Sequence, residues 1–248
     1  ARDLTAASPG AGPRKGGSTV SETSDEVELA TVELLGALAY GQLRSFAAAA
    51  RLIELAPDAR VADVVAEVAR HEHEAYIRLR GHLSERTQLP TAVMDRQKAS
   101  FDAYFDHAPL DDWFGASVFF ALGLPIAADF ARAIAPALDP ATARVVTESL
   151  AGRAAFERAA IEQLAVQLVG EDARVRARSL TADLLGRALT SYQGVAGDTD
   201  ALRVLLASHA GATATTAEQQ VKRLALEILS GHRRRSVALG LENLDDVR

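Results

Sequence analysis

The sequence predicts an all-α protein, on three observations. Hydrophobic residues fill 48% of the 248 positions but aromatics only 5%, so the apolar content lies in alanine- and leucine-rich runs with few β-branched alternations. Apolar residues recur every three or four positions rather than every two. Proline and glycine interrupt that pattern at intervals of helix length.

Residues 1–22 are rich in Gly, Pro, Ser and Ala without an apolar period, the composition of a disordered tail. The first predicted helix covers 24–55. Ser24 can cap it, Asp25, Glu26 and Glu28 put acids where the helix dipole favours them, and Pro57 stops it. Its interior is apolar enough for a helix buried on most sides. Along the stripe Leu35, Leu38, Gln42, Phe46, Ala49 and Ile53, Gln42 is a polar residue facing the core. The second helix opens after Asp58 and ends near Glu85. Val61, Val65, Val68, Glu72, Ala75, Leu79 and Leu83 share one of its faces. Only Glu72 is polar there, and an unpaired buried carboxylate costs on the order of several kcal/mol, so Glu72 needs a partner.

A looser segment follows Pro90, helical over 101–105, and breaks at Pro109. The third long helix starts after Asp111 or Asp112 and runs to 135; Pro125 inside it should kink or split it. The fourth begins with Asp139 as cap and Pro140 at its first position and ends before Gly170. Its small residues Ser149, Gly152, Ala155 and Ala159 form a face for close approach of a neighbour. Further helices cover 173–195, 200–209 and 217–239, with a loop at 211–216. No repeat or linker divides the chain. Residues 23–243 therefore read as one domain of four long core helices with additional C-terminal helices, and 244–248 as a short tail.

Net charge is −6, which gives no support to a broad nucleic-acid or membrane surface. The run His232-Arg233-Arg234-Arg235 is a local basic cluster that could meet a phosphate or an acidic partner, and charges of this sign are also favoured near a helix C-terminus. The absence of cysteine removes disulfides, thiolate metal sites and a cysteine nucleophile, and suits a cytoplasmic protein. The apolar runs near residues 46–50 and 118–124 are too short to span a bilayer, and no signal-peptide core is apparent. Walker A, dinucleotide-binding and HExxH patterns are lacking.

A di-iron bundle needs Glu from two helices and Glu-x-x-His from each of two others. The residues three before His71, His73, His82, His107, His209 and His232 are Val68, Arg70, Leu79, Tyr104, Leu206 and Leu229, so the pair is missing everywhere. Glu67, His71 and Glu74 could share an ion, but they flank the apolar stripe as a charge-paired face would.

Ala39-Tyr40-Gly41-Gln42, Gly123, Ala127-Ala128-Asp129-Phe130, Leu184-Leu185-Gly186 and Leu239-Gly240-Leu241, in that order and spacing, resemble the actinobacterial ferritin-like proteins related to tRNA 2-methylthio-isopentenyladenosine hydroxylase. The resemblance runs over residues 27–241 and implies a ferritin-like four-helix bundle with additional helices; the tRNA-acting founder is a di-iron monooxygenase. Its ligand positions carry over poorly. By the resemblance, Gln42 stands for a first-helix Glu, Glu72 is retained, Ala75 replaces a His and Leu124 an Asp. Gly152 and Ala155 fall on the second Glu-x-x-His, and Arg187 takes the place of a Glu.

The expectation is therefore a ferritin-like scaffold without its di-iron centre. It would need no cofactor and would act non-catalytically by binding a protein partner or by self-association. Arg187 is the expected counter-ion of Glu72, with Gln42 hydrogen-bonding nearby. The rival is a metal-dependent oxidoreductase or tRNA hydroxylase-like enzyme using iron or manganese at a rearranged site drawn from Glu67, His71, Glu72 and Asp129. A third reading is a small-molecule pocket in the space left by Gly152 and Ala155.

Overall fold

The computed structural model describes residues 18–197, 200–210 and 214–242, and every element among them is helical. Helix α1 (Ser18–Leu52) starts at Ser18 rather than Ser24, so it takes in the last residues assigned to the tail. Residues 1–17 and 243–248 lie outside the described residues. Leu34, Leu35, Ala37, Ala39 and Tyr40 are all buried, because α1 is enclosed by α2 (Ala59–Arg86), α3 (Pro90–Phe105) and α9 (Ala201–Ala210). Ile53 lies past the helix end and is exposed. The Asp58 carboxylate caps α2 by accepting from the Val61 amide at 2.8 Å, and all seven residues of the α2 stripe, Glu72 included, are buried.

The segment expected to be loose is one continuous helix, α3. Its local sequence is polar, but Val93, Met94, Tyr104 and Phe105 are buried, and tertiary contact outweighs weak propensity. The Tyr40 hydroxyl donates to Asp102 at 2.6 Å, and Arg44 bridges Asp102 and Asp106. Burial alone would raise the Asp102 pKa. Hydrogen bonds from Tyr40 and Lys98 and the Arg44 charge overcome this and hold it below the usual carboxylate range.

Asp112 caps α4 (Trp113–Val118), which passes through a π-helical turn (Phe119–Gly123) into α5 (Leu124–Ile134) and a 3-10 turn (Ala135–Ala137). Pro125 sits in the first turn of α5, where its missing N–H is tolerated, and the π turn just before it takes up the mismatch. Contrary to the reading of its short apolar runs, the stretch Trp113–Ala137 is long and apolar enough to cross a membrane by length and composition; 67% of its apolar window is buried inside the bundle.

The fourth expected helix is two. α6 (Pro140–Ser149) and α7 (Arg153–Ala165) are separated by Gly152, whose φ of 79° is left-handed. The change of hand resets the helical phase. The expected small-residue face does not form: Ser149 is buried, but Gly152 and Ala155 are exposed. α8 (Glu171–Gly197) packs on α3 and the π turn, and α10 (Ala214–Ala238) on α5 and α9.

Two apolar clusters make up most of the core. One gathers around Leu35, Leu83, Ile134 and Leu202, the other around Leu52, Phe119, Leu164 and Leu184. α2 gives Leu79 and Leu83 to the first and Val61 and Val65 to the second. Glu72 falls between them.

Candidate functional site

Glu72 is 2% and Arg153 5% exposed. Arg153 Nη1 lies 3.0 Å from Oε1 and 3.2 Å from Oε2 of Glu72, and Gln42 Nε2 donates to Oε2 as well. The turn at Gly152 sets Arg153 at the head of α7. From there Arg153, Phe156, Ala160 and Leu164 step inward at helical spacing. The expected counter-ion was a different arginine: Arg187 pairs with Asp183, one turn back along the surface of α8, at 2.8 Å.

The pair begins a chain of alternating charges. Arg153 Nε is 3.9 Å from Glu157, Glu157 accepts from Arg132 at 2.8 Å, and Arg132 donates to Asp129 at 2.9 Å. The other oxygen of Asp129 accepts from Arg235 Nη2 at 2.7 Å. Three acids thus meet three arginines across α2, α7, α5 and α10. At Gly231, the Asp129 carboxylate occupies the space a Cβ would need.

His232, also on α10, donates from Nδ1 to the Leu122 carbonyl of the π turn at 3.2 Å. The expected basic cluster at 232–235 therefore does not form one face. His232 and Arg235 are buried, Arg233 pairs with Glu242, and Arg234 reaches Ser230. Burial first, and the Arg235 charge second, hold the His232 pKa below that of a free histidine. The unfolded chain thus takes up this proton at higher pH than the folded protein does. The contribution to stability is complete above about pH 6.5 and is lost as pH falls from there through the lowered folded value. The urea midpoint is expected to drop across that range, and His232→Asn, which keeps a donor for Leu122, to flatten the drop. Equal slopes in the two proteins would refute this role.

Two cavities border the ion pair. One of about 110 Å³ lies among α1, α3 and α5, with Leu38, Phe101, Ile126 and Ile228 on its walls. The other, of about 370 Å³, is a cleft between α2 and α7, where Val61, Val65 and Val68 stand opposite Phe156 and Ala160. Arg153 and Leu124 line both. The Tyr104 hydroxyl and His71 Nε2 are buried without a hydrogen-bond partner. Burial pushes the Tyr104 pKa well above that of a free phenol.

Of the other residues singled out from the sequence, Ala75 is fully buried and Leu124 nearly so. Glu67 pairs with Arg70 on an exposed face, and His71 packs its ring against Phe156, centroids 5.2 Å apart. Asp129 is engaged with two arginines. The alternative metal set Glu67, His71, Glu72 and Asp129 thus does not assemble, and among the described residues no three His, Asp or Glu side chains come together to hold an ion.

The family described as ferritin-like domain, actinomycetes, matches residues 25–209, from the first turns of α1 to the end of α9. The chain belongs to that ferritin-like family. No curated protein matches it. For a ferritin-like bundle the chemical question is whether its centre fits iron. Two iron ions need several carboxylates and imidazoles. Among the described residues Glu72 is the one buried carboxylate, and the Arg153 guanidinium is already against both its oxygens. The donor set does not fit a di-iron centre.

Proposed function

We propose that this ferritin-like protein is a non-catalytic binding protein in which the Glu72–Arg153 pair, bonded to Gln42, stands where di-iron relatives hold metal. The observation that carries this reading is Arg153 Nη1 at 3.0 Å from Glu72, the one buried carboxylate among the described residues. A fixed guanidinium supplies the positive charge that a buried carboxylate otherwise draws from a cation. The resemblance to tRNA 2-methylthio-isopentenyladenosine hydroxylases suits the scaffold, and under this reading the Arg153-x-x-Phe156 face of α7 replaces a Glu-x-x-His pair. The absence of cysteine supports a cytoplasmic setting. The protein acts by what it binds, a protein partner, a second copy or a small molecule in its cavities.

Metal analysis of protein purified from iron- and manganese-supplemented cells tests the reading. Metal far below stoichiometric is expected. Stoichiometric iron or manganese that disappears on Glu72→Ala would overturn it.

A further inference from the structure

Among the described residues, six polar side chains stand on the wall of the smaller cavity: Gln42, Ser45, Tyr104, Ser149, Arg153 and Ser191. Five are engaged. Gln42 and Arg153 bond to Glu72, and Ser45, Ser149 and Ser191 donate to the carbonyls of Gly41, Val145 and Ser100 at 3.0, 2.8 and 2.8 Å. The sixth, the Tyr104 hydroxyl, has no partner, on a residue only 7% exposed. A buried hydroxyl left unbonded is destabilising, and a native fold keeps one where something else completes it. The hydroxyl lies over Gly123, 2.8 Å from where a Cβ would stand, so any side chain there would displace it.

We propose that this cavity binds a small uncharged molecule with an apolar body the size of one ring and a single hydrogen-bonding oxygen, which the Tyr104 hydroxyl contacts. This rests on the non-catalytic reading in that the ligand is held and not transformed. Size sets the upper bound: the cavity measures about 110 Å³, below the roughly 150 Å³ of an apolar cavity that takes up benzene, so the body can be no larger than one ring. The apolar wall favours a hydrocarbon body. Charge balance sets the neutrality. Glu72, Glu157 and Asp129 are matched by Arg153, Arg132 and Arg235, so an ionic ligand would be desolvated with no unpaired charge on the described wall to meet it.

The test uses the full chain with ¹³C-labelled tyrosine rings, titrated with phenol, toluene and benzoate. Four tyrosines give few signals, and Tyr104→Phe identifies the one that matters. Phenol is expected to shift the Tyr104 signal saturably, and benzoate to leave it unmoved. The phenol-to-toluene affinity ratio should fall about fivefold in Tyr104→Phe, the worth of one hydrogen bond. Ala131→Phe, on the buried part of the cavity wall, should abolish binding of both. No saturable phenol shift at Tyr104 in the wild type, benzoate bound as tightly as phenol, or an unchanged ratio in Tyr104→Phe would each overturn the proposal. The wild-type titration decides even where a variant fails to fold. Metal content measured on the same sample keeps the two readings apart: metal-free protein that ignores phenol sinks the cavity assignment alone.

Discussion

Arg153→Met is expected to destabilise the protein by about 3–5 kcal/mol, the usual loss when one member of a buried ion pair is removed. Glu72, 2% exposed, would keep only the Gln42 amide and no opposing charge. Desolvation of the lone carboxylate dominates, because the methionine replaces most of the packing of the arginine stem. The contrast that gives the result its meaning is the double variant Glu72→Leu/Arg153→Met. With both charges gone the layer becomes continuous with the apolar clusters on either side, and most of the lost stability should return. Glu157 would still be held by Arg132 at 2.8 Å. Urea unfolding of the three proteins measures the coupling. A single variant costing under about 1 kcal/mol, as an exposed ion pair would, would show that the pair does not hold the layer together.

Phe119→Ala should cost about as much, 3–5 kcal/mol, by a different route. Phe119 has no exposed surface. Its ring stands 5.9 Å from Tyr104, 6.0 Å from Phe105 and 5.8 Å from Phe120, in tilted or edge contacts. The alanine loses transfer energy, leaves a hole that three other rings and the π turn can only partly close, and removes those contacts. Phe119→Leu keeps much of the volume and should lose under about 1.5 kcal/mol. An alanine variant no worse than the leucine would mean that the turn can collapse onto the space.

α2 was readable because its signals are local. Asp58 caps it, one apolar stripe runs its length, and Glu72 interrupts that stripe at a single point. Gln42 was legible on α1 for the same reason. Arg153 was not, though it obeys the same rule. Arg153, Phe156, Ala160 and Leu164 form an inward stripe on α7 just as Val68, Glu72, Ala75 and Leu79 do on α2. The signal appears only if the helix is begun at Arg153, and that depends on Gly152 being a left-handed stop. Read as a small residue within a continuous helix, Gly152 puts the inward positions at 152 and 155, which the structure leaves exposed. Arg187 follows from the resemblance, which puts it in a slot the related proteins give to an acid and says nothing of the Asp183 carboxylate four residues away that satisfies it on the surface. α3 was missed because the contacts that fix it reach across to α1.

The π turn at Phe119–Gly123 amounts to one extra residue threaded into a long helix. Each residue of an α-helix advances the azimuth by about 100°. α5 therefore enters the bundle rotated by that angle relative to an uninterrupted rod. That rotation aims Asp129 at Gly231 and Arg132 at Glu157. Wound instead as unbroken α-helix, the same residues would carry both side chains about 100° away and cut the charge relay at its middle. The order of residues in α5 names the links, and the way the turn upstream winds decides whether they meet.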